Sequence, residues 1–68
     1  MKAIVCNPKV QGGEPVFEGT RIHLEFVARR LRKGESIETL LEDYPALTRE
    51  DIEGSLAAWT TMQMIREP

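Results

Sequence analysis

The chain is poor in the residues that small proteins use as staples. Its 68 residues include one cysteine, Cys6, and one histidine, His23. A lone cysteine excludes an internal disulfide, and one Cys with one His does not make a four-ligand zinc site. No metal and no other cofactor is therefore expected. Long apolar runs are missing as well: none approaches the roughly 20 residues needed to span a membrane. Met1 to Cys6 is too short for the apolar stretch of a signal peptide. Together with the unpaired cysteine, these absences predict a protein of the reducing cytoplasm with no membrane contact. Catalytic constellations are absent too. His23 has no acid or hydroxyl at a predictable spacing in an identifiable cleft, and Gly12-Gly13 lacks the spacing and the following lysine of a phosphate loop. Cys6 sits in a short apolar segment and reads as a small core residue rather than a nucleophile. The expectation is that the chain is not an enzyme.

A chain this short buries only about 60% of its unfolded surface. It makes one domain, residues 1–68, and needs a further stabilising element. With disulfide and metal removed, a partner subunit is left, and a homodimer is expected.

The charge is more patterned than its net value of −2 implies. From Arg21 to Lys33 five basic residues stand against Glu25, and from Gly34 to Glu53 seven acids stand against Arg49. A basic helix followed by an acidic half suggests two contact surfaces, attraction between the halves, or two solvated helix faces.

The first 22 residues read as an extended arm or small hairpin. Ala3-Ile4-Val5 ends at the turn pair Asn7-Pro8, Gln11-Gly12-Gly13 is a second break, and Pro15 belongs at an edge or a strand start. Val16-Phe17 precedes another turn at Glu18-Gly19, and Thr20-Arg21-Ile22 leads onward. An isolated hairpin is marginal in water, so this one must lie on the helices or pair with a neighbouring chain.

From His23 to residue 65 the apolar period becomes helical, predicting a three-helix core. Leu24, Val27, Ala28 and Leu31 share a face of the first helix, which Gly34 caps. Ser36 caps the second, whose stripe is Ile37, Leu40, Leu41 and Tyr44, and Pro45 ends it. Thr48 and Asp51 form a capping box for the third, with Leu47 and Ile52 at staple spacing. Ile52, Leu56 and Trp59 are its expected buried stripe, and Gly54 costs it about 1 kcal/mol relative to Ala. Trp59, Met62 and Met64 read as core or interface. The fold class is mainly α: a three-helix bundle with a helix-turn-helix outline behind a short N-terminal β-like arm.

In such a domain the third helix would lead into the DNA major groove. Here its first turns carry Arg49 among Glu50, Asp51 and Glu53, which repel phosphate. Arg49 is the one side chain there that could read a guanine edge. The first helix suits phosphate better, because Arg29, Arg30, Arg32 and Lys33 share an arc of roughly 160° opposite the apolar stripe. The same basic face also fits an acidic protein. Phe26 falls within that arc, either as an aromatic at a contact surface or packed beneath the arm.

Asn7-Pro8, Gly12-Gly13-Glu14-Pro15-Val16 and Gly19-Thr20-Arg21-Ile22, followed by Gly34-Glu35-Ser36-Ile37-Glu38 and the run Asp43 to Ile52, resemble the pattern of the family filed as domain of unknown function 433. The resemblance covers about residues 4–58. It implies a homeodomain-like, antitoxin-like protein of a toxin–antitoxin pair that binds a PIN-like ribonuclease toxin and its own promoter DNA. It marks Gly12, Gly13, Pro15, Gly19, Thr20 and Arg21 as motif positions without assigning their roles. His23 stands where the family more often has Pro, and Glu14 stands where a basic residue is common. The short stretch after the third helix leaves little tail to wrap a toxin, so toxin contact is expected on the folded surface. The other readings are a stand-alone dimeric DNA-binding regulator and a purely structural dimerisation module. Arg21 offers a planar fork for a carboxylate or phosphate, or else pairs with an acid of the second or third helix and fastens the arm.

Overall fold

The computed structural model describes residues 1–6, 8–9 and 11–66. Asn7 of the first expected turn lies outside them. Strand β1 (Ile4–Val5) pairs antiparallel with β2 (Val16–Phe17), with Ile4 opposite Phe17 and Val5 opposite Val16. The arm is thus a hairpin closed within one chain. Pro15 sits just before β2, where its missing N–H costs nothing, and its carbonyl accepts from the Leu24 N–H at 3.0 Å. Between them Gln11–Gly13 makes a 3₁₀ turn.

The Gly-Thr-Arg-Ile motif is a turn that folds the chain back onto β2. Thr20 N–H donates to the Phe17 carbonyl at 3.0 Å, and the Thr20 hydroxyl donates to the same oxygen at 2.7 Å. That hydroxyl also accepts from Ile22 N–H at 3.0 Å. Gly19 has φ of +78°, the left-handed region where a side chain is strained. Phe17 N–H then donates to the Ile22 carbonyl, and a bridge joins Val16 to His23. The hairpin therefore runs directly into helix α1 (Leu24–Arg32).

Helix α1 ends as expected. Gly34 N–H donates to the Leu31 carbonyl and Glu35 N–H to the Arg30 carbonyl, the two bonds of a Schellman cap. Helix α2 (Ile37–Asp43) starts at Ser36, whose hydroxyl accepts from Thr39 N–H at 3.1 Å. Helix α3 (Arg49–Arg66) follows. Thr48 N–H donates to Asp51 Oδ2 at 2.9 Å while Asp51 N–H donates to Thr48 Oγ1 at 3.2 Å, so the capping box closes in both directions. Leu47 and Ile52 are buried on either side of it.

One core unites the arm and the helices: Phe17, Leu24, Val27, Leu40, Leu47 and Ile52 are buried together, with Ile4, Ile22, Leu31 and Trp59 packed around them. The molecule is a three-helix bundle with a two-stranded hairpin laid on it, and α1 packs mainly on α3.

Two expectations, the Leu56 stripe and the core Cys6, are corrected, and two open readings, those of Phe26 and Arg21, are decided. The buried stripe of α3 runs through Ser55, not Leu56: Asp51, Ile52 and Ser55 are buried, and Ala58, Trp59 and Met62 pack on the core. At about 100° per residue, Ser55 sits at the centre of that set and Leu56 is about 100° away from it. The Ser55 hydroxyl is satisfied locally, donating to the Ile52 carbonyl at 2.7 Å. Cys6 is exposed, because the paired strand ends at Val5 and the chain leaves the sheet there. Phe26 is not under the arm but 53% exposed, stacked on His23 with ring centroids 4.7 Å apart. Arg21 is exposed and makes no ion pair among the described residues. The arm is fastened instead by Lys2.

Candidate functional site

Two clusters of charge organise the surface, and they differ in whether the charges are spent internally. The first is the clasp between the arm and α3. The Asp51 carboxylate is fully buried and accepts from Lys2 N–H at 2.6 Å, from Lys2 Nζ at 3.0 Å and from Thr48 N–H. Burial alone would raise its pKa. The hydrogen bonds from Thr48 and Lys2 outweigh that and hold the carboxyl well below the usual aspartate range.

The second cluster decides which of the five expected phosphate contacts is available. Arg30 forms a fork with Glu35, Nε and Nη2 to Oε1 at 3.0 and 2.7 Å. The same Nη2 reaches Asp43 Oδ2 at 2.5 Å, and the guanidinium lies over the Tyr44 ring at 5.5 Å. The bonds to Glu35 and then Asp43 raise the Arg30 pKa further, and the Arg30 guanidinium holds Glu35 below its ordinary value. Arg30 therefore ties α1 to α2, which realises the attraction between the basic helix and the acidic half. Arg49 pairs with Glu38 at 3.0 Å across the surface and lowers that carboxyl's pKa. Glu50 and Glu53 beside it are exposed, so the leading end of α3 presents acid.

Arg29, Arg32 and Lys33 remain. Arg29 has an i, i+4 pair with Glu25 at 2.9 Å but is more than half exposed. Arg32 and Lys33 are exposed and make no ion pair among the described residues. These three cations line one concavity of about 410 Å³ together with Trp59 of α3. Trp59 was not singled out as a site residue from the sequence. It enters the site because α1 packs on α3, a relation that period alone does not provide. The stretch of α3 from Gly54 to Ile65 carries no charged residue, so nothing on that helix beside Trp59 neutralises the three cations.

The motif residues of the arm are divided. Pro15 is buried, Gly13 and Thr20 are half-buried, and Gly12, Gly19 and Arg21 are exposed. Gly12, Gly13 and Pro15 line a second concavity of about 370 Å³ with Cys6, Glu14 and Met62. Gly19 and Thr20 build the turn described above. Among the described residues, no group of three or more His, Cys, Asp or Glu side chains is placed to hold a metal. No helix of the described residues is long and apolar enough to cross a membrane.

Residues 4–58 match the family described as "Protein of unknown function (DUF433)", and the chain belongs to that family. The uncharacterized protein y4eO of Sinorhizobium fredii (strain NBRC 101917 / NGR234) is 39% identical over 49 residues. That stretch is 72% of this chain and 22% of y4eO, so the chain corresponds to a small part of that relative's length. No solved structure matches the chain.

Proposed function

We propose that this DUF433 chain is a non-enzymatic, antitoxin-like binding module that acts in the cytoplasm and holds a PIN-like ribonuclease toxin. The observation that carries the reading is the exposed cationic end of α1, where Arg32 and Lys33 make no ion pair among the described residues, although Lys33 is near enough to help lower the Glu35 pKa, and Arg29 is more than half exposed beside its partner Glu25. A nuclease of that type presents an acidic active site, and a cationic surface of this kind is complementary to it. Contact uses the folded surface, with Arg29, Arg32 and Lys33 leading. Arg30 and Arg49 support it less, since both are already held by acids. A homodimer would bury the exposed ring of Phe26.

Promoter binding is the secondary activity. The acid-tipped start of α3 disfavours groove insertion, so the same three cations of α1 would supply the phosphate contacts. The test is to co-express the chain with the product of its neighbouring gene and weigh the complex by size exclusion with light scattering. A stable hetero-complex that Arg32→Glu with Lys33→Glu breaks up supports the toxin reading. A homodimer without a hetero-complex refutes it and favours the stand-alone regulator. For that regulator, promoter affinity must fall with salt by a slope of about −0.9 per phosphate contacted.

A further inference from the structure

We infer that the trough formed by Arg29, Arg32, Lys33 and Trp59 is a stacking site for single-stranded nucleic acid. This goes beyond the toxin reading and does not depend on it. Sites that hold single strands without reading sequence combine a cationic track for phosphates with an aromatic face for a base. Both parts are present at one place on this surface. Trp59 is anchored by its partial burial against the core, so its ring is held rather than free. Three cations line the same concavity, two of them arginines whose planar guanidinium groups can themselves stack on a base. The volume of about 410 Å³ lies within the range of about 300–1,000 Å³ in which small ligand groups are held.

Charge complementarity chooses the occupant. A single strand brings one phosphate per nucleotide next to a π face, matching cations that share a concavity with a ring. Duplex DNA keeps its base faces stacked and could use only the cations. An acidic peptide would likewise satisfy the cations but has no requirement for an aromatic floor. The acids nearest in sequence form no ion pair with Arg32 or Lys33 among the described residues: Glu25 takes one side of Arg29, and Glu35 hydrogen-bonds Arg30, with only a longer-range pull on Lys33.

Trp59 is the one tryptophan in the chain, so its fluorescence reports the site directly. The experiment titrates the full chain at low salt with oligothymidylate of about twelve nucleotides, and in parallel with polyglutamate and with a duplex of the same length. The expected result is saturable quenching by oligothymidylate, weak or no quenching by the other two, and a marked salt dependence. The double variant Arg32→Gln/Lys33→Gln leaves the ring and the internal ion pairs in place. It should weaken binding by about tenfold or more and reduce the slope of log affinity against log salt by about 1.4, two contacts at about 0.7 each. Trp59→Phe, followed by anisotropy of a labelled oligonucleotide, should bind more weakly while keeping a ring in the trough. Absence of quenching by oligothymidylate overturns the inference. So does equal quenching by polyglutamate, which would make the trough a seat for acidic protein, and so does unaltered affinity in the double variant.

Discussion

Replacing Asp51 with Asn tests whether the arm and α3 are joined as described. The carboxylate has no solvent exposure and accepts three hydrogen bonds, two from Lys2 and one from Thr48. An asparagine of the same shape has one acceptor and one donor group. If its oxygen faces Thr48 N–H and Lys2 Nζ, its amide meets Lys2 N–H, donor against donor. If it is flipped, two donors are lost instead of one. The variant also removes the negative charge from the first turn of α3, where it suits the helix dipole. A charge-assisted hydrogen bond contributes about 1.5–3 kcal/mol, so Asp51→Asn should cost about 2–3 kcal/mol. A chain of this length has roughly 3–10 kcal/mol in all, so the midpoint should fall by about 10–20 °C.

The pH dependence has a definite sign. The folded-state pKa of Asp51 lies below its unfolded value of about 3.9. Its contribution is therefore complete above that unfolded value and is lost as pH falls toward the depressed folded one. Urea unfolding followed by Trp59 fluorescence should show a constant gap between the natural chain and Asp51→Asn from about pH 7 to about pH 5. The gap should narrow below about pH 4. Glu35 and Glu38, also depressed, are present in both proteins and cancel in the difference. A gap under about 0.5 kcal/mol at neutral pH, or one that does not narrow in acid, would refute the clasp.

Other substitutions separate strain, capping and idle charge. Gly54→Ala should stabilise by up to about 1 kcal/mol in thermal melts. The new Cβ would come 2.7 Å from Met1 Sδ, but that side chain is 57% exposed and can swing away; a loss of stability would mean that Met1 is held. Gly19→Ala should cost about 1 kcal/mol through its positive φ alone, since the added methyl meets no atom within 4 Å. Ser36→Ala should cost about 1 kcal/mol by removing the cap on Thr39 N–H. Arg21→Ala should leave stability within about 0.5 kcal/mol, and a larger loss would show that this side chain does fasten the arm.

Local rules were enough for the outline of the fold. Ser36, the Thr48–Asp51 box and Gly34 each act through bonds spanning a few residues, so the letters around them specify the helix ends. The hairpin was legible as far as its turns, because Pro15 fixes its own φ and Gly19 admits the positive φ that the turn requires. The Leu56 assignment failed for a different reason. A stripe containing Ile52 and Trp59 can be completed by Leu56 or by Ser55, and hydrophobicity favours Leu. The packing of α1 and the arm against α3 decides for Ser55, whose hydroxyl folds back onto its own helix. Cys6 failed similarly, since the strand before it is only two residues long.

The candidate site was legible in its charges but not in which of them are spent. Four cations share one arc of α1, and spacing treats them alike. Only the placement of α2 shows that Arg30 is consumed by Glu35 and Asp43 while Arg32 and Lys33, two and three residues on, make no ion pair among the described residues. The Lys2 clasp was illegible for the same reason, as its partner lies 49 residues away. These long-range pairs also account for the division of the surface. Asp51 faces inward to hold the arm, so the acids left outside at the start of α3 are Glu50, which faces the Met1 ammonium at 4.0 Å, and the exposed Glu53. Arg32 and Lys33, without an ion pair among the described residues, share a concavity with Trp59 beside the uncharged half of α3. If that trough binds as inferred above, a polyanion is steered to it and away from the leading end of α3, despite a net charge of −2.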